Sequence, residues 1–410
     1  MDGYHEIFRS ADILLPEFYR EEEFAAYPVI ACDQHTGELD FWRETERLTK
    51  GKASTLDMIL PEIYLGEAEA RIPRIHAAMR QYEDTILREH RNTVVFVERT
   101  QADGRIRRGV VCALDLEYYD YRQGSTPAVR ATEGTVLSRI PARVAVRRGA
   151  DLELPHVMLL LNDPECTVIE PEFSNRPMRI VYDTDLMQGG GHIRGMVPDG
   201  RGADFFLHRL NALASGGGGQ FTVAVGDGNH SLAAARAWYE ELKETIGAES
   251  AAVHPARYAL VELVNLYSPA LDFEPIHRLI CGADLDALLA AARHRCDGIG
   301  GPVHLFSAIS SGRSAELPIP LSSALPLASL TAFLDDFSAH NSAVTVDYIH
   351  GEDTLARLSV CNAVGILCPR MEKETLFPAV AADGALPRKT FSMGNACDKR
   401  YYLEARKITY

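Results

Sequence analysis

The spacing of apolar side chains changes repeatedly along this chain, from a period of about 3.6 residues to a period of two. Within residues 67–90, apolar side chains recur at Ile72, Ile75, Met79 and Tyr82, with charged residues between them. This spacing predicts an amphipathic helix. Because helix-like and strand-like segments alternate over the whole length, the pattern favours an α/β or α+β protein over an all-α or all-β one.

Runs rich in β-branched and apolar residues predict the strands. Two such runs flank Ala-Asp-Gly within residues 93–119, which indicates a hairpin. Further strands are predicted over residues 156–163, 178–183, 221–225 and 257–266. Several of these are apolar throughout, so we expect them to be buried on both faces of a sheet.

Glycine and proline mark the predicted breaks. Residues 187–195 and 215–220 are too rich in glycine for packed elements, so both are predicted to be loops, the second a flexible connector. Residues 319–333 are rich in proline and are interpreted as a linker. We therefore predict a main domain over residues 1–280 and a smaller C-terminal α/β portion over residues 281–410.

Composition narrows the classes of function. The 410 residues are 46% hydrophobic and 24% charged, as in an ordinary globular protein. The formal net charge of -15 argues against a protein that coats nucleic acid or an anionic membrane, since both need excess Lys and Arg. We expect no nucleic-acid and no membrane partner. The sequence leaves the oligomeric state open.

Cysteine usage and the N-terminus bear on the compartment. None of the eight cysteines forms a C-x-x-C pair, which argues against a zinc ribbon or a thioredoxin-type redox site. The first residues do not resemble a signal peptide, and no run approaches 18 apolar residues. We therefore expect free cysteines in a cytoplasmic protein.

The segment FTVAVGDGNHSLAAARAWYEE, residues 221–241, joins a predicted strand to a predicted helix. Gly226 and Gly228 permit positive φ and the close approach of a ligand. The first helical turn leaves backbone N–H groups without intrahelical partners, and with the helix dipole they favour a phosphate or carboxylate. His230 could donate to a phosphoryl oxygen or transfer a proton. The pattern therefore indicates an anion-binding turn.

Asp227 does not suit an anion site unless it binds a metal, orients His230 or accepts a substrate proton. A second interpretation needs no ligand, because Asp227 or Asn229 could simply cap the helix with His230 packed nearby. The segment lacks both the P-loop pattern and a complete G-x-G-x-x-G. Spacing alone leaves both interpretations open.

A second polar cluster lies in YDTDLMQGGGHIRG, where Asp183, Asp185, His192 and Arg194 surround three glycines. The two carboxylates and the imidazole could serve a hard cation such as Mg²⁺. Arg194 could clamp a phosphate through two hydrogen bonds. The alternative is a surface loop whose aspartates stabilise turns.

Two more segments carry candidate polar groups. RATEGTVLSRIPAR, residues 130–143, contains Glu133 and Arg139, and ACDQHTGELDFW, residues 31–42, contains Asp33. Either carboxylate could act as a base. The first segment could equally begin a helix whose arginines form a solvated face, and the second could be an ordinary turn before a helix.

Several of these motifs together carry a family resemblance. In chain order they are ACDQHTGELDFW, STLDMILPEIYL, RATEGTVLSRIPAR, LPHVMLL, GGGHIRG, VGDGNHSLAAA, FEPIHR, YIHGE and KRYYLEARK. This ordered set, which covers nearly the whole chain, resembles the bacterial family catalogued as domain of unknown function 1015. The family is uncharacterised, so the resemblance by itself implies little about activity.

A more distant resemblance concerns the turn. Many relatives carry Asp-Gly-His-His-Arg there, as does the archaeal free-serine kinase, which uses ADP. Sulfiredoxin and the ParB partition proteins share a related turn and fold, with a nucleotide phosphate at the helix N-terminus. Asp227, Gly228 and His230 match this motif, whereas Asn229 replaces the first His and Ser231 replaces the Arg. Sulfiredoxin needs a cysteine at the position of Asn229, and ParB needs a DNA-binding region that is not seen here.

This resemblance implies an α/β (α+β) fold with a ParB/sulfiredoxin-like nucleotide-binding core and added α/β elements. With the turn and the second cluster, it predicts a nucleotide-dependent phosphotransferase that acts on a small hydroxylated metabolite, such as an amino acid. The predicted cofactors are ADP or ATP with Mg²⁺. One alternative is a protein that binds a nucleotide or phosphorylated ligand without turnover. Another is a metal-assisted hydrolase that uses the second cluster.

Roles follow from this hypothesis. We predict catalytic roles for Asp227, His230 and Glu133. The metal would be held by Asp183 and Asp185. The residues predicted to bind the nucleotide are Gly226, Gly228, Asn229, Ser231, Arg139, His192 and Arg194.

Overall fold

The computed structural model describes residues 5–18, 20–122, 125–216, 221–299, 301–323 and 325–410. Most of the predicted connector at 215–220 therefore lies outside the described residues. The chain forms two compact units. The larger comprises Met1–Ala131, Thr135–Leu271 and Asn395–Tyr410, and the smaller comprises Thr132–Gly134 and Asp272–Gly394.

The strands are β1 (Phe8–Arg9), β2 (Ala11–Pro16), β3 (Val29–Ile30), β4 (Leu87–Thr93), β5 (Val95–Thr100), β6 (Ile106–Asp115), β7 (Tyr119–Asp120), β8 (Val129–Ala131), β9 (Leu152–Glu153), β10 (Met158–Leu161), β11 (Met178–Leu186), β12 (Gly191–Pro198), β13 (Val223–Asp227), β14 (Tyr258–Asn265), β15 (Phe273–Cys281), β16 (Val303–Ser310), β17 (Arg313–Pro320), β18 (Thr345–His350), β19 (Ala363–Leu367), β20 (Phe391–Met393), β21 (Tyr401–Tyr402) and β22 (Arg406–Lys407).

The α-helices are α1 (Glu21–Ala26), α2 (Leu39–Thr49), α3 (Ala68–Thr85), α4 (Ile140–Arg147), α5 (Glu170–Asn175), α6 (Gly202–Ala214), α7 (Asn229–Ile246), α8 (Ala248–Val253), α9 (Leu285–Ile299), α10 (Pro326–His340), α11 (Glu352–Leu358) and α12 (Lys373–Asp383). Short 3-10 helices lie at Thr55–Met58, Glu62–Glu67, Leu116–Tyr118, Leu137–Arg139, Pro255–Arg257 and Ala396–Asp398.

A mixed sheet organises the larger unit. Its strand order is β11-β12-β5-β6-β14-β10-β13-β8-β7, with β1 beside β6. β13 runs antiparallel to β10 and parallel to β8, and β10 runs parallel to β14. The other pairs at the β11 end are antiparallel. The predicted mixed α/β class and the predicted hairpin, which is β5–β6, are confirmed.

The sheet of the larger unit is covered on both faces. Val111 and Leu260 belong to one hydrophobic cluster, whereas their chain neighbours Val110 and Val261 belong to the other. Side chains alternate across a strand, so a strand covered on both faces must be apolar at nearly every position. This explains why its central strands read as continuous apolar runs.

The smaller unit contains an antiparallel sheet in the order β17-β16-β19-β15-β18, with β20 also paired to β15. Its core is formed by the sheet with helices α9 and α10, through side chains such as Phe306, Leu330 and Phe333. The predicted boundary near residue 280 lies inside β15, and residues 395–410 belong to the larger unit.

One loop prediction is wrong, and a second is correct only in part. Residues 319–333, interpreted as a linker, contain the end of β17 and most of α10, whose Leu327, Leu330 and Leu334 are buried at helical spacing. Of residues 187–195, interpreted as a loop, residues 187–190 form the turn after β11, whereas residues 191–195 belong to β12. In the described part of the chain, no helix combines the length and apolar character needed to cross a membrane.

Candidate functional site

The turn after β13 is shaped by one glycine. Gly228 has φ 79° and ψ 24°, which lie in the left-handed region, and it is the N-cap of α7. A Cβ at this position would lie 3.0 Å from the Cα of Val157 and 3.2 Å from its Cγ2. The turn therefore needs glycine for its conformation and for its close packing. Gly226 lies within β13, so the left-handed residue of the turn is Gly228.

No side chain caps helix α7. The carboxylate of Asp227 accepts a hydrogen bond from the N–H of Gly228 at 3.0 Å, one residue before the helix begins. The N–H groups of Ser231 and Leu232 donate to the carbonyl of Gly228, at 3.0 and 3.1 Å. The capping role considered for Asp227 or Asn229 is therefore wrong. The uncapped end presents the positive end of the helix dipole.

Two buried polar atoms near this turn have no hydrogen-bond partner among the described residues. They are Oδ1 of Asn229 and Oγ1 of Thr135. Buried polar atoms in folded proteins are nearly always paired, so such atoms call for an explanation, such as a bound ligand or water. Next to Thr135, the N–H of Val136 donates to Nε2 of His230 at 3.2 Å. A neutral His230 with this contact carries its proton on Nδ1.

A lysine from the C-terminal segment balances the acid at the turn. Nζ of Lys399 lies 3.3 Å from Oδ2 of Asp227, and the side chains are only 13% and 20% exposed. An ammonium group at this point offsets the charge of Asp227 and attracts an anion. No role at the turn was predicted for Lys399 from the sequence.

His156 lies at the centre of a hydrogen-bonded group. Its Nδ1 lies 2.6 Å from the hydroxyl of Tyr402, which also accepts the N–H of Cys32 at 3.3 Å. Burial raises the pKa of Tyr402 well above its usual range, so its hydroxyl stays protonated and donates to Nδ1. Nε2 therefore carries a proton whether the imidazole is neutral or charged. It faces Oγ of Ser231 at 3.2 Å and Oδ2 of Asp33 at 3.7 Å.

Asp33 is a stabilised carboxylate. Burial by itself would raise the pKa of its carboxyl group, but the charge and hydrogen bond of His156 hold that pKa well below its usual range. The amide of Gln34 donates to it at 3.0 Å, and the charge of Lys399 acts in the same direction. Lys399 therefore stabilises the charge of Asp33 as well as pairing with Asp227.

A cavity adjoins this group. Its volume is about 140 Å³, and Cys32, His156, Ser231 and Tyr402 form part of its lining. The rest is largely apolar and comes from α3, α4, α7, β9, β14 and the 3-10 segments near residue 60. Burial, with the charge of Asp33, raises the pKa of the Cys32 thiol to about 12. This thiol is therefore protonated near neutral pH and is not a nucleophile.

The predicted residues of segment 130–143 lie in different places. Arg139 is exposed at the end of a 3-10 helix, three residues after Val136. The helix considered as the alternative for this segment is present as α4, which carries Arg143 into the cavity lining. Glu133 belongs to the smaller unit, where its carboxylate accepts the N–H of Lys389 at 3.1 Å.

The second polar cluster lies elsewhere in the sheet. Asp183 faces Arg194, and Asp185 faces His192, across the β11–β12 hairpin. Four strands lie between β12 and β13, which corresponds to about 24 Å along the sheet at about 4.8 Å per strand. The prediction that Arg194 and His192 join the phosphate site is therefore wrong, because the sheet separates them from the turn.

The polar side chains of this second cluster also pair with one another. The ring of His192 contacts Asp183 at 2.5 Å and Asp185 at 2.8 Å, and Nε of Arg194 donates to Asp183 at 2.9 Å. Partial burial alone would lower the pKa of His192, but hydrogen bonds to the two aspartates raise it. Within the described ranges, no group of three or more His, Cys, Asp or Glu side chains is placed to hold a metal ion. The predicted metal site at Asp183 and Asp185 is not supported.

The C-terminal segment holds the site together. Arg400 is 2% exposed and pairs with Glu262 and Glu404, each 1% exposed, while its Nε donates to the carbonyl of Pro155, next to His156. The signal that could have shown its role is the charged Glu404 inside the apolar run Tyr401–Ala405, with Arg400 directly before that run.

Comparison with known proteins gives distant structural neighbours. A free serine kinase variant in complex with ADP covers 74% of this chain and 93% of its own, with 10% identity and a TM-score of 0.39. Free serine kinase in complex with AMP has 11% identity and a TM-score of 0.38, and the match covers 73% of this chain and 91% of the kinase. A conserved hypothetical protein from Pyrococcus furiosus has 10% identity and a TM-score of 0.35, and the match covers 73% of this chain and 95% of that protein. These similarities are too distant to assign a function.

At the level of sequence, no curated protein matches the chain. One family model does, over residues 18–358, and this range is most of the chain. The motifs around Asp33, His156 and the Gly228 turn all lie inside it. The chain therefore belongs to the family described as "Protein of unknown function (DUF1015)".

Proposed function

We propose that this protein is a nucleotide-dependent phosphotransferase whose acceptor is a small hydroxylated molecule. The observation that supports this proposal is the position of Ser231. It lies in the uncapped first turn of α7, and it also lines the 140 Å³ cavity. A phosphate at the helix end and a hydroxyl group in the cavity would therefore be neighbours, as phosphoryl transfer requires.

The phosphate side of the reaction would use backbone and cationic groups. The backbone N–H groups of Asn229 and His230 would receive the nucleotide phosphates, because those of Gly228 and Ser231 already donate within the turn, and the ammonium of Lys399 would offset the phosphate charge. His230 would donate from Nδ1 to a phosphoryl oxygen, since its Nε2 accepts the Val136 N–H. Mg²⁺ would be held mainly by the phosphates and water, as is common for this ion. The finer assignment to a ParB/sulfiredoxin-like core belongs to this proposal.

The acceptor side would use Asp33. The acceptor oxygen attacks the terminal phosphorus, the bond to the bridging oxygen breaks, and the hydroxyl proton passes to the Asp33 carboxylate. The nucleotide leaves one phosphate shorter. Because the transition state is loose, a carboxylate with a low pKa still serves by orienting the hydroxyl and receiving its proton late. Asp227 would position Lys399, and Glu133 remains a separate predicted candidate for the base.

The first experiment measures nucleotide binding by thermal unfolding with ADP, ATP or CTP and Mg²⁺. A ligand at 100 times its Kd stabilises the folded state by about 2.7 kcal/mol, which gives a measurable rise in Tm. We expect a rise with at least one nucleotide. If none of the three raises Tm at millimolar concentration, the phosphotransferase proposal is lost.

A second candidate function is binding without transfer. It is favoured by Ser231, which stands where related kinase-type motifs carry Arg, and by the separation of Arg194 from the turn. The discriminating test supplies a nucleotide and a pool of small hydroxylated metabolites and follows phosphate transfer by phosphorus NMR. Transfer that is abolished in Asp33→Asn, with the nucleotide-induced Tm rise retained, selects the phosphotransferase. A Tm rise without transfer selects the binding protein.

A further inference from the structure

We infer that the cavity beside Ser231 binds a neutral, largely apolar small alcohol, and not a charged amino acid. Its role as the phosphate acceptor rests on the proposed function, whereas its binding to the cavity does not. Three features of the lining lead to this inference: the apolar walls, the pairing of its charges, and the polar end formed by His156, Ser231 and Tyr402.

The walls are apolar and well buried. They include Met58, Leu60, Met79, Leu152 and Leu260, each no more than 6% exposed. A ligand without hydrogen-bonding groups on its body gains from contact with such a surface, because apolar area leaves water. A polar body would lose its hydrogen bonds to water without replacement.

The charges in the lining neutralise one another. Arg143 pairs with Glu62, and Nη2 of Arg147 lies 2.6 Å from Oε2 of Glu153 as an ion pair without hydrogen-bond geometry. Glu153 is bound further by Arg406 at 2.7 Å. An amino acid would have to break into the Arg143–Glu62 pair to place its own ammonium and carboxylate groups. Separating a largely buried ion pair is costly, whereas a neutral ligand leaves both pairs intact.

The polar end suits one hydroxyl group. Because His156 presents its Nε2 proton toward Oγ of Ser231, the Ser231 hydroxyl proton is left to donate to a ligand oxygen. Oδ2 of Asp33 lies 3.7 Å from the same Nε2, although Asp33 is not among the residues that line the cavity, and it would accept the proton of a ligand hydroxyl group placed at this end.

The volume of the cavity also limits the size of the ligand. A cavity of about 150 Å³ in another protein binds benzene, so one of about 140 Å³ suits a molecule of about six non-hydrogen atoms. A nucleoside does not fit this space and would have to lie outside it.

Cyclopentanol and L-serine are suitable probes, followed by ligand-observed NMR on the full chain. We expect cyclopentanol to bind and L-serine not to displace it. Ala234→Val adds volume at a lining position and should weaken cyclopentanol binding by at least about tenfold. Ala233→Val is the matched control, because Ala233 is buried in the same helix but does not line the cavity.

If Ala234→Val fails to fold, Met79→Ala provides the second variant, since it enlarges the cavity and should shift preference toward cycloheptanol. An unchanged preference, displacement by L-serine, or no cyclopentanol binding overturns the inference. Cyclopentanol binding without a rise in Tm with any nucleotide supports the alcohol-binding cavity and rules out the phosphotransferase. A rise in Tm with a nucleotide but no alcohol binding supports the phosphotransferase and rules out the alcohol-binding cavity.

Discussion

The ammonium group of Lys399 lies 3.3 Å from the carboxylate of Asp227 and joins the C-terminal segment to the turn before α7. Only a fifth or less of either side chain is exposed, so solvent screens the pair weakly. Because Lys399 offsets the negative charge of Asp227, an aspartate can lie beside a site for an anion. It also gives Lys399 a fixed position from which to contact a phosphate.

The first prediction concerns this lysine. Lys399→Met removes the positive charge and leaves Asp227 facing the bound phosphate. We expect nucleotide affinity to fall at least about tenfold, as for loss of a charge-assisted hydrogen bond worth about 1.5–3 kcal/mol. Titration calorimetry with the nucleotide that raises Tm measures the change.

Arg194→Met is the control for Lys399→Met. It also removes a cation, but from β12, which four strands separate from β13. We expect nucleotide affinity to stay within about twofold of the original, since exposed charges at that distance are screened. An equal loss in both variants would mean that general charge, and not the position of Lys399, governs binding.

The second prediction concerns Gly228. Gly228→Ala places a Cβ 3.0 Å from the Cα of Val157 at a positive φ. Gly51 also has positive φ, at 75°, but a Cβ there meets nothing within 4 Å. Gly51→Ala therefore carries the conformational cost alone, about 1 kcal/mol, and Gly228→Ala should cost about 1–2 kcal/mol more. Urea unfolding of the two variants gives the difference, and equal values would remove the packing argument.

Local patterns predicted much of the fold. The apolar spacing around Ile75 and Met79 predicted α3, and alternating runs predicted the β5–β6 hairpin. Both depend on neighbours along the chain. The error at β12 has a local cause too, because three glycines hid an alternation in which Ile193 and Val197 are buried while His192 is not.

The candidate site was predicted less completely. The turn at Gly228 could be predicted, because it needs a residue without a Cβ between an apolar strand and a helix. The sequence did not allow assignment to the site of Lys399, Tyr402 and His156. Their partners are distant along the chain, and a single sequence does not show which distant residues come together. Arg194 was misplaced for the same reason, since strand order decides which polar residues become neighbours.

The third prediction concerns Tyr402. Tyr402→Phe removes the hydroxyl that bonds His156 Nδ1 and leaves a buried nitrogen unpaired. We expect a loss of about 1–3 kcal/mol in unfolding free energy. Tyr27→Phe is the control, because the Tyr27 hydroxyl is also buried but has no partner in the described part of the chain. That change should be neutral or slightly stabilising, so a similar loss in both variants would contradict the role of the Tyr402 bond.

The fourth prediction concerns acid stability. His156 and Lys399 hold the pKa of the Asp33 carboxyl well below its usual range in the folded state, although burial opposes them. In the unfolded chain the pKa of an aspartate is about 3.9. As the pH falls through about 4, the unfolded state therefore takes up the proton first. The stabilisation from Asp33 is fully present above about pH 5 and is lost progressively below it, toward the folded-state pKa.

Asp33→Asn removes this titration, so its unfolding free energy should fall less between pH 6 and pH 3 than that of the original protein. Asp40→Asn, at a side chain that is 98% exposed, is the charge-matched control and should leave the acid dependence unchanged. Urea unfolding at several pH values measures each slope. Parallel curves for Asp33→Asn and the original protein would show that Asp33 is not held as an ionised partner of His156 and Lys399, and they would remove the carboxylate from the acceptor side of the proposed reaction.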